Sequence, residues 1–267
     1  MSRVPSRSPS RTRRRGQPDL TPLADTAREV AAEWGVELGE PFGLARFSFV
    51  APAGEETVLK VTPAWDDESD EEGDALQLWA GKGAVPLLRR DRKRRVLLLG
   101  RARPGDDLAS LPEADATSIA VDVGRTLWQP AGPPFRSIRD HVPRWLDRPA
   151  EGPGRRQLPV ARRLLARLDI RAATLVHGDF QHHNLLSSGS GYVAIDPKPM
   201  LGEPEYDVAP FLWNPIGYRM RRDVTERRLA AFSSAGLDEW RMRAWAIIRA
   251  SYLGADEAEM EVLRTLV

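Results

Sequence analysis

The 267 residues contain no cysteine, which excludes a disulfide scaffold, a cysteine nucleophile and thiolate metal sites. Histidine is nearly as scarce, with only His141, His177, His182 and His183. Lysine is limited to Lys60, Lys82, Lys93 and Lys198, so the remaining basic charge is arginine. Neither sign of charge dominates: 39 Lys+Arg face 38 Asp+Glu, a net charge of +1. That balance excludes a globally basic nucleic-acid binder and an acidic disordered chain. No apolar run approaches the ~18 residues of a membrane-spanning helix, and no apolar signal segment follows the start. A soluble, cytoplasmic protein with no membrane and no specific nucleic-acid partner is expected. Its chemistry must rest on a few polar residues.

What is present falls into three stretches. Residues 1–18 are rich in Ser, Pro and Arg, with no acid, and cannot offset the entropy of ordering, so residues 1–19 read as a disordered basic tail. Residues 20–100 open on a helix start at Thr21-Pro22 and continue as short strands. Phe47 to Val50 and Thr57 to Val61 form a hairpin, and Val85 to Leu88 and Val96 to Leu99 two further strands. Between the pairs an acidic run (Asp66, Asp67, Glu68, Asp70, Glu71, Glu72, Asp74) opens a helix bearing Leu76 and Trp79. Capping and helix-dipole compensation account for most of that run. From 101 to 267 the pattern is helical, as in Ile119, Val123 and Leu127 at spacing four, with one β interruption from Leu175 to Ile195. The expected fold is α+β, with a small β-rich N-terminal lobe, a larger helical C-terminal lobe, and a hinge near Gly100 to Gly105.

The densest polar text runs His177-Gly178-Asp179-Phe180-Gln181-His182-His183-Asn184, followed by a Ser/Gly turn and Ala194-Ile195-Asp196-Pro197. A hairpin closing symmetrically about Ser190 sets Asn184 opposite Asp196, with Cβ atoms ~5 Å apart. An amide oxygen beside a carboxylate is a hard-oxygen site suited to Mg²⁺, which favours few protein ligands plus phosphates. Asp179, in the loop five residues before Asn184, is placed to accept a proton from a substrate hydroxyl.

These residues resemble the aminoglycoside phosphotransferase branch of the protein-kinase-like fold, through His-Gly-Asp-x-x-x-x-Asn and Ile-Asp-Pro. The text Ala194 to Lys198, Gly202-Glu203-Pro204, Tyr206 to Leu212 and Asn214-Pro215 is similar to the streptomycin 6-kinase and hydroxyurea phosphotransferase subfamily. In the first lobe Val58 to Val61, Glu72-x-x-Ala75-Leu76, Trp79 to Gly81 and Gly83 to Leu88 extend the likeness. The resemblance implies a two-lobed protein-kinase-like fold and transfer of the ATP γ-phosphate to a hydroxyl of a small molecule, an aminoglycoside of the streptomycin type or hydroxyurea. It makes Asp179 the catalytic aspartate and Asn184 and Asp196 the Mg²⁺ ligands. Lys60 would hold the ATP phosphates, with Glu72 as its ionic partner and Glu71 and Asp74 as competitors for that role. His177 would pack beneath the catalytic loop and Asp207 brace it. Two departures stand out: Gly43 to Ser48 is a phosphate-covering loop with few glycines, and Gly100 stands where relatives often carry glutamate.

Other readings use the same text differently. A kinase for another small hydroxylated metabolite keeps the chemistry and changes the acceptor, with Glu203 and Glu205 as candidate partners for a cationic one. A metal-dependent hydrolase would gather His177, Asp179, His182, His183 and Asp196 around zinc, leaving Lys60 and Asn184 unused. A nucleotide-binding protein without turnover is disfavoured, since all five expected polar positions are occupied.

Overall fold

The structure is a computed structural model that describes residues 19–43, 45 and 47–266. The expected basic tail, apart from Asp19, and Leu44 and Arg46 of the expected phosphate-covering loop lie outside the described residues. Helix α1 (Thr21–Trp34) starts with Pro22 in its first turn and ends where Gly35 turns left-handed, at φ 69°. Its buried stripe, Ala27, Val30 and Ala31, has the spacing of one helical face.

That stripe covers a four-stranded antiparallel sheet. The strands are β1 (Phe49–Pro52), β2 (Thr57–Val61), β3 (Leu87–Asp91) and β4 (Val96–Gly100), in spatial order β1-β2-β4-β3. Strand alternation divides the sheet into two faces. Leu59, Val61, Val96 and Leu98 pack with α1 in one core cluster. Leu97 and Leu99 turn to the opposite face and join a larger cluster with Ala75, Leu76 and Trp79. Lys60 is paired with Leu97 in the register, so alternation sets it on this second face.

The helix beneath that face is α2 (Glu72–Trp79), preceded by a 3-10 turn at Asp67–Ser69. Its acids do not cap it. The N-cap Glu71 makes no side-chain capping bond, and the run is instead matched by cations from other elements. Asp66 pairs with Lys198, Asp67 and Glu71 with Arg136, Asp70 with Arg95, and Asp74 with Arg90 and Arg92. The capping part of the reading is therefore corrected, while Glu72 and Asp74 do lie in the first turn of the helix: specific ion pairs, three of them to the helical half, hold this segment.

Beyond β4, β5 (Pro104–Asp107) leads to α3 (Glu113–Leu127), β6 (Gln129–Pro130), α4 (Ile138–Asp147), α5 (Leu158–Arg167) and β7 (Thr174–Val176). Strands β8 (Leu185–Ser188) and β9 (Gly191–Ala194) then form a hairpin, followed by β10 (Met200–Gly202). Four helices complete the chain: α6 (Pro204–Trp213), α7 (Arg222–Ser234), α8 (Glu239–Leu253) and α9 (Glu257–Arg264). Among the described residues no helix is long and apolar enough to cross a membrane. Gly100, at the end of β4, faces Pro86, whose ring carbon would lie 2.6 Å from any Cβ there. A glutamate at position 100 would collide with that ring, so the departure is matched locally.

Candidate active site

The β8–β9 hairpin positions the densest polar text. Its register pairs Leu185 with Ala194 and Ser188 with Gly191, so the turn is the two residues Gly189-Ser190. The symmetry centre therefore falls half a residue before Ser190. Asn184 stands opposite Ile195, whose N–H donates to the Asn184 carbonyl at 2.9 Å, and Asp196 lies one residue beyond. The expected cross-strand pairing of Asn184 with Asp196 is thereby corrected. Both still emerge at the open end of the hairpin, Asp196 with a left-handed backbone at φ 54°.

Around Asp196 two lysines converge. Lys60 Nζ lies 2.6 Å from Asp196 Oδ1 and 2.7 Å from each Glu72 carboxylate oxygen. Of the three acids that competed for Lys60, Glu72 takes it, because its position on α2 turns towards β2 while Glu71 reaches Arg136 and Asp74 reaches Arg90. Lys198 approaches from the other side, 3.8 Å from Asp196 Oδ1 and 3.1 Å from Asp66 Oδ2, and also donates to Ser69 Oγ. Burial works against ionisation of Asp196, yet Lys198 and Lys60 hold its carboxyl well below the usual range. Burial likewise opposes charge on Lys60, and Asp196 and Glu72 reverse that effect so its ammonium is retained.

Asp179 is 4% exposed and sits in a differently made environment. Its Oδ2 accepts from Gln181 Nε2 at 3.2 Å and Asn184 Nδ2 at 3.1 Å, while Oδ1 has no hydrogen-bond partner among the described residues. Burial, reinforced by the charge of Asp196, pushes the Asp179 carboxyl upward; Arg249 and Lys198 oppose this. Because the Asn184 amide nitrogen is spent on Asp179, its oxygen is the group left for a cation. Asn184 and Asp196, whose side chain is 41% exposed, offer hard oxygen donors of the kind Mg²⁺ takes alongside phosphates and water.

The loop is held from below. Asp207 at the start of α6 accepts from the backbone N–H groups of His177 and Gly178, both at 2.7 Å, and from Trp128 Nε1 at 3.0 Å. His177 is fully buried, stacked on Trp79 at 6.3 Å between ring centres. One ring nitrogen meets the Ile195 carbonyl at 3.0 Å and the other accepts from Asp179 N–H at 3.3 Å, a pattern only the neutral imidazole satisfies. Burial pushes its pKa down to about 4. Gly178 is required here, since a Cβ would meet the Lys198 carbonyl oxygen at 2.0 Å and φ is +82°.

Zinc ligation fails on this geometry. His177 has both nitrogens engaged, His182 is stacked on Phe211 at 4.1 Å, and His183 spends its nitrogens on Asp107 and the Ile216 N–H. Among the described residues no three His, Cys, Asp or Glu side chains form a metal-holding group. Glu203 is also withdrawn from the acceptor role suggested for it: it is 4% exposed and bound by Arg241 and by Trp245 Nε1. Sequence reasoning missed Lys198, hidden in its own motif, and Arg249, which donates to the Gly178 carbonyl at 2.7 Å from within α8. Arg249 had no local signal, being one arginine among many.

A family model of aminoglycoside/hydroxyurea antibiotic resistance kinases matches residues 40–260. The chain is 32% identical over 244 residues to the hydroxyurea phosphotransferase of Kitasatospora aureofaciens, covering 85% of this chain and 71% of that protein. It is 28% identical over 252 residues to the streptomycin 6-kinase of Streptomyces glaucescens, covering 86% and 81% respectively. Among solved structures, a choline/ethanolamine kinase family protein from Mesorhizobium loti superposes with a TM-score of 0.63 at 18% identity, covering 91% of this chain and 84% of that one. A spectinomycin phosphotransferase solved with ADP and spectinomycin gives a TM-score of 0.54 at 12% identity over 81% and 80%. The fold shared with these proteins is the expected two-lobed, protein-kinase-like one.

Proposed function

The chain belongs to the aminoglycoside/hydroxyurea antibiotic resistance kinase family, and on that premise we propose that it transfers the γ-phosphate of ATP to a hydroxyl of a streptomycin-type aminoglycoside or of hydroxyurea. Phosphoryl transfer asks little covalent help from a protein; it needs positioned groups and charge neutralisation. Asp179 orients the acceptor hydroxyl and takes its proton on Oδ1. The observation that carries this is the buried Oδ1 left without a partner while Oδ2 is fixed by Gln181 and Asn184. An unfilled carboxylate oxygen costs about 1–3 kcal/mol, so its retention suits a site completed by a ligand. Lys60, fixed by Glu72, holds the donor phosphates, and Asn184 and Asp196 hold Mg²⁺, which when bound neutralises phosphate charge. Asp207, His177 and Arg249 position the loop.

Acceptor-dependent ADP formation tests this reading. Purified protein with Mg²⁺ and ATP is expected to release ADP on streptomycin or hydroxyurea and to yield a phosphorylated acceptor by mass spectrometry. Turnover on neutral sugars alone would move the acceptor to another hydroxylated metabolite, and ADP release on no acceptor would end the kinase reading.

A further inference from the structure

Six of the seven acids between 66 and 74 carry a cation: Asp66 on Lys198, Asp67 and Glu71 on Arg136, Asp70 on Arg95, Glu72 on Lys60, and Asp74 on Arg90 and Arg92. Among the described residues, Glu68 alone of these seven has neither an ion pair nor a hydrogen bond. It is also half-buried, in the middle of the 3-10 turn that precedes α2. An unpaired carboxylate on an exposed turn needs no account; one taken partly out of water does.

The turn itself is firmly held. Asp66 Oδ2 meets Lys198 Nζ at 3.1 Å and Ser69 Oγ at 2.9 Å, Lys198 also donates to Ser69, and Arg95 donates to the Asp66 carbonyl at 2.6 Å. Lys198 and Arg136 belong to the helical half, so the turn is fastened across the cleft from both ends. The turn that carries Glu68 therefore stands against Lys198, itself 3.8 Å from Asp196, and Lys198, Asp179 and the other turn acids Asp66 and Asp67 act on the Glu68 charge. It acts in turn on Tyr206 and Tyr252 below the loop. Burial pushes its carboxyl up to about 7, against the pull of Lys198.

Beside the Asp179 oxygen kept for the hydroxyl, a further acceptor is unfilled among the described residues: Gln181 Oε1, on a side chain that is 6% exposed. A group that satisfies Glu68 and Gln181 must bring hydrogen-bond donors, and one lying between Glu68 and Asp179 should carry positive charge. A guanidinium, with five N–H donors in a plane, does both.

We propose that the turn from Asp66 to Ser69 is the small lobe's wall of the acceptor site, and that Glu68 receives a guanidinium or ammonium group of the acceptor. This rests on the kinase reading above and deepens it. Acceptor affinity then depends on a residue remote from Asp179 in sequence and on the other side of the cleft.

The test is calorimetric titration of the full chain, loaded with Mg²⁺ and a non-hydrolysable ATP analogue, with streptomycin and separately with uncharged hydroxyurea. Glu68→Gln should weaken streptomycin about 10- to 100-fold, the scale of one charge-assisted contact, and leave hydroxyurea within about twofold. Glu68→Asp should recover part of the loss, and Asp70→Asn, which removes a carboxylate outside the turn that is already held by Arg95, should leave both affinities unchanged. Unchanged streptomycin affinity in Glu68→Gln, or equal loss for hydroxyurea, overturns the assignment of Glu68. Phosphorylation of hydroxyurea alone by the unsubstituted chain overturns the cationic acceptor but leaves the kinase reading standing. Phosphorylation of neither overturns both.

Discussion

The two banks of the cleft are built on opposite principles. Around Lys60, Glu72, Asp196 and Lys198 every charge has a partner within 4 Å before any ligand arrives. Around Asp179 the reverse holds, with Asp179 Oδ1 and Gln181 Oε1 buried and unfilled. If the Lys60 bank receives the donor, as proposed, it is organised in advance, and electrostatic groups fixed in advance cost no reorganisation at the moment of reaction. On the reading proposed above, the acceptor side keeps two acceptor oxygens free for the incoming group.

The largest expected effect comes from treating the two banks alike. Asp179→Asn should lower turnover by roughly 10²–10⁴, the scale of general-base loss, while binding of a non-hydrolysable ATP analogue persists. Asp196→Asn should weaken Mg²⁺-dependent analogue binding as well, by more than the roughly 10–100-fold of outer-shell changes at metal sites. Calorimetry on both variants decides: equal loss of nucleotide would erase the distinction between the banks.

Next in size is the donor bank's dependence on its own pairing. Glu72→Gln leaves Lys60 buried with only the partly exposed Asp196 as counter-charge. Removing one partner of a buried ion pair costs about 3–5 kcal/mol, read as a fall in the urea midpoint. A smaller loss than that of a surface pair would mean the cluster is less rigidly organised than its distances imply.

The smallest effect probes the floor common to both banks. His177 has its pKa depressed to about 4 from 6.5, so the folded protein holds it neutral. Its contribution is complete above pH 6.5 and is lost as pH falls through 4, about 3 kcal/mol in all. Urea unfolding between pH 7.5 and 4.5 should show a shallower decline in His177→Gln than in the parent; parallel profiles would place the acid sensitivity elsewhere.

Much of this site was legible because its signals are local. The spacing from Asp179 to Asn184, the turn before Asp196 and the lysine on a short strand each lie within a few consecutive residues. The hairpin centre was misplaced by half a residue because Ser/Gly text marks a turn without stating its length. Glu72 could not be chosen over Glu71 and Asp74 from sequence, since the choice depends on helical phase against Lys60 and Arg136. Lys198, Arg249 and Glu68 were invisible for a related reason. Their meaning lies in partners 71 to 132 residues away, or in having none.

The position of α2 bears on how such a protein can be taken apart. Trp79 is 1% exposed, donates its indole N–H to the Leu127 carbonyl at 2.9 Å and stacks on His177. With Ala75, Leu76, Leu97 and Leu99 it belongs to the core of the helical half, although it precedes the hinge in the chain. A fragment ending at Gly100 would therefore expose that face to water, at roughly 1.5–3 kcal/mol for each large side chain. Chimaeras joined at the hinge between relatives would inherit mismatched halves of one core. Recombination should succeed only where the donor of α2 also supplies the surface around Leu127 and His177, so the visible joint between lobes is a poor place to cut.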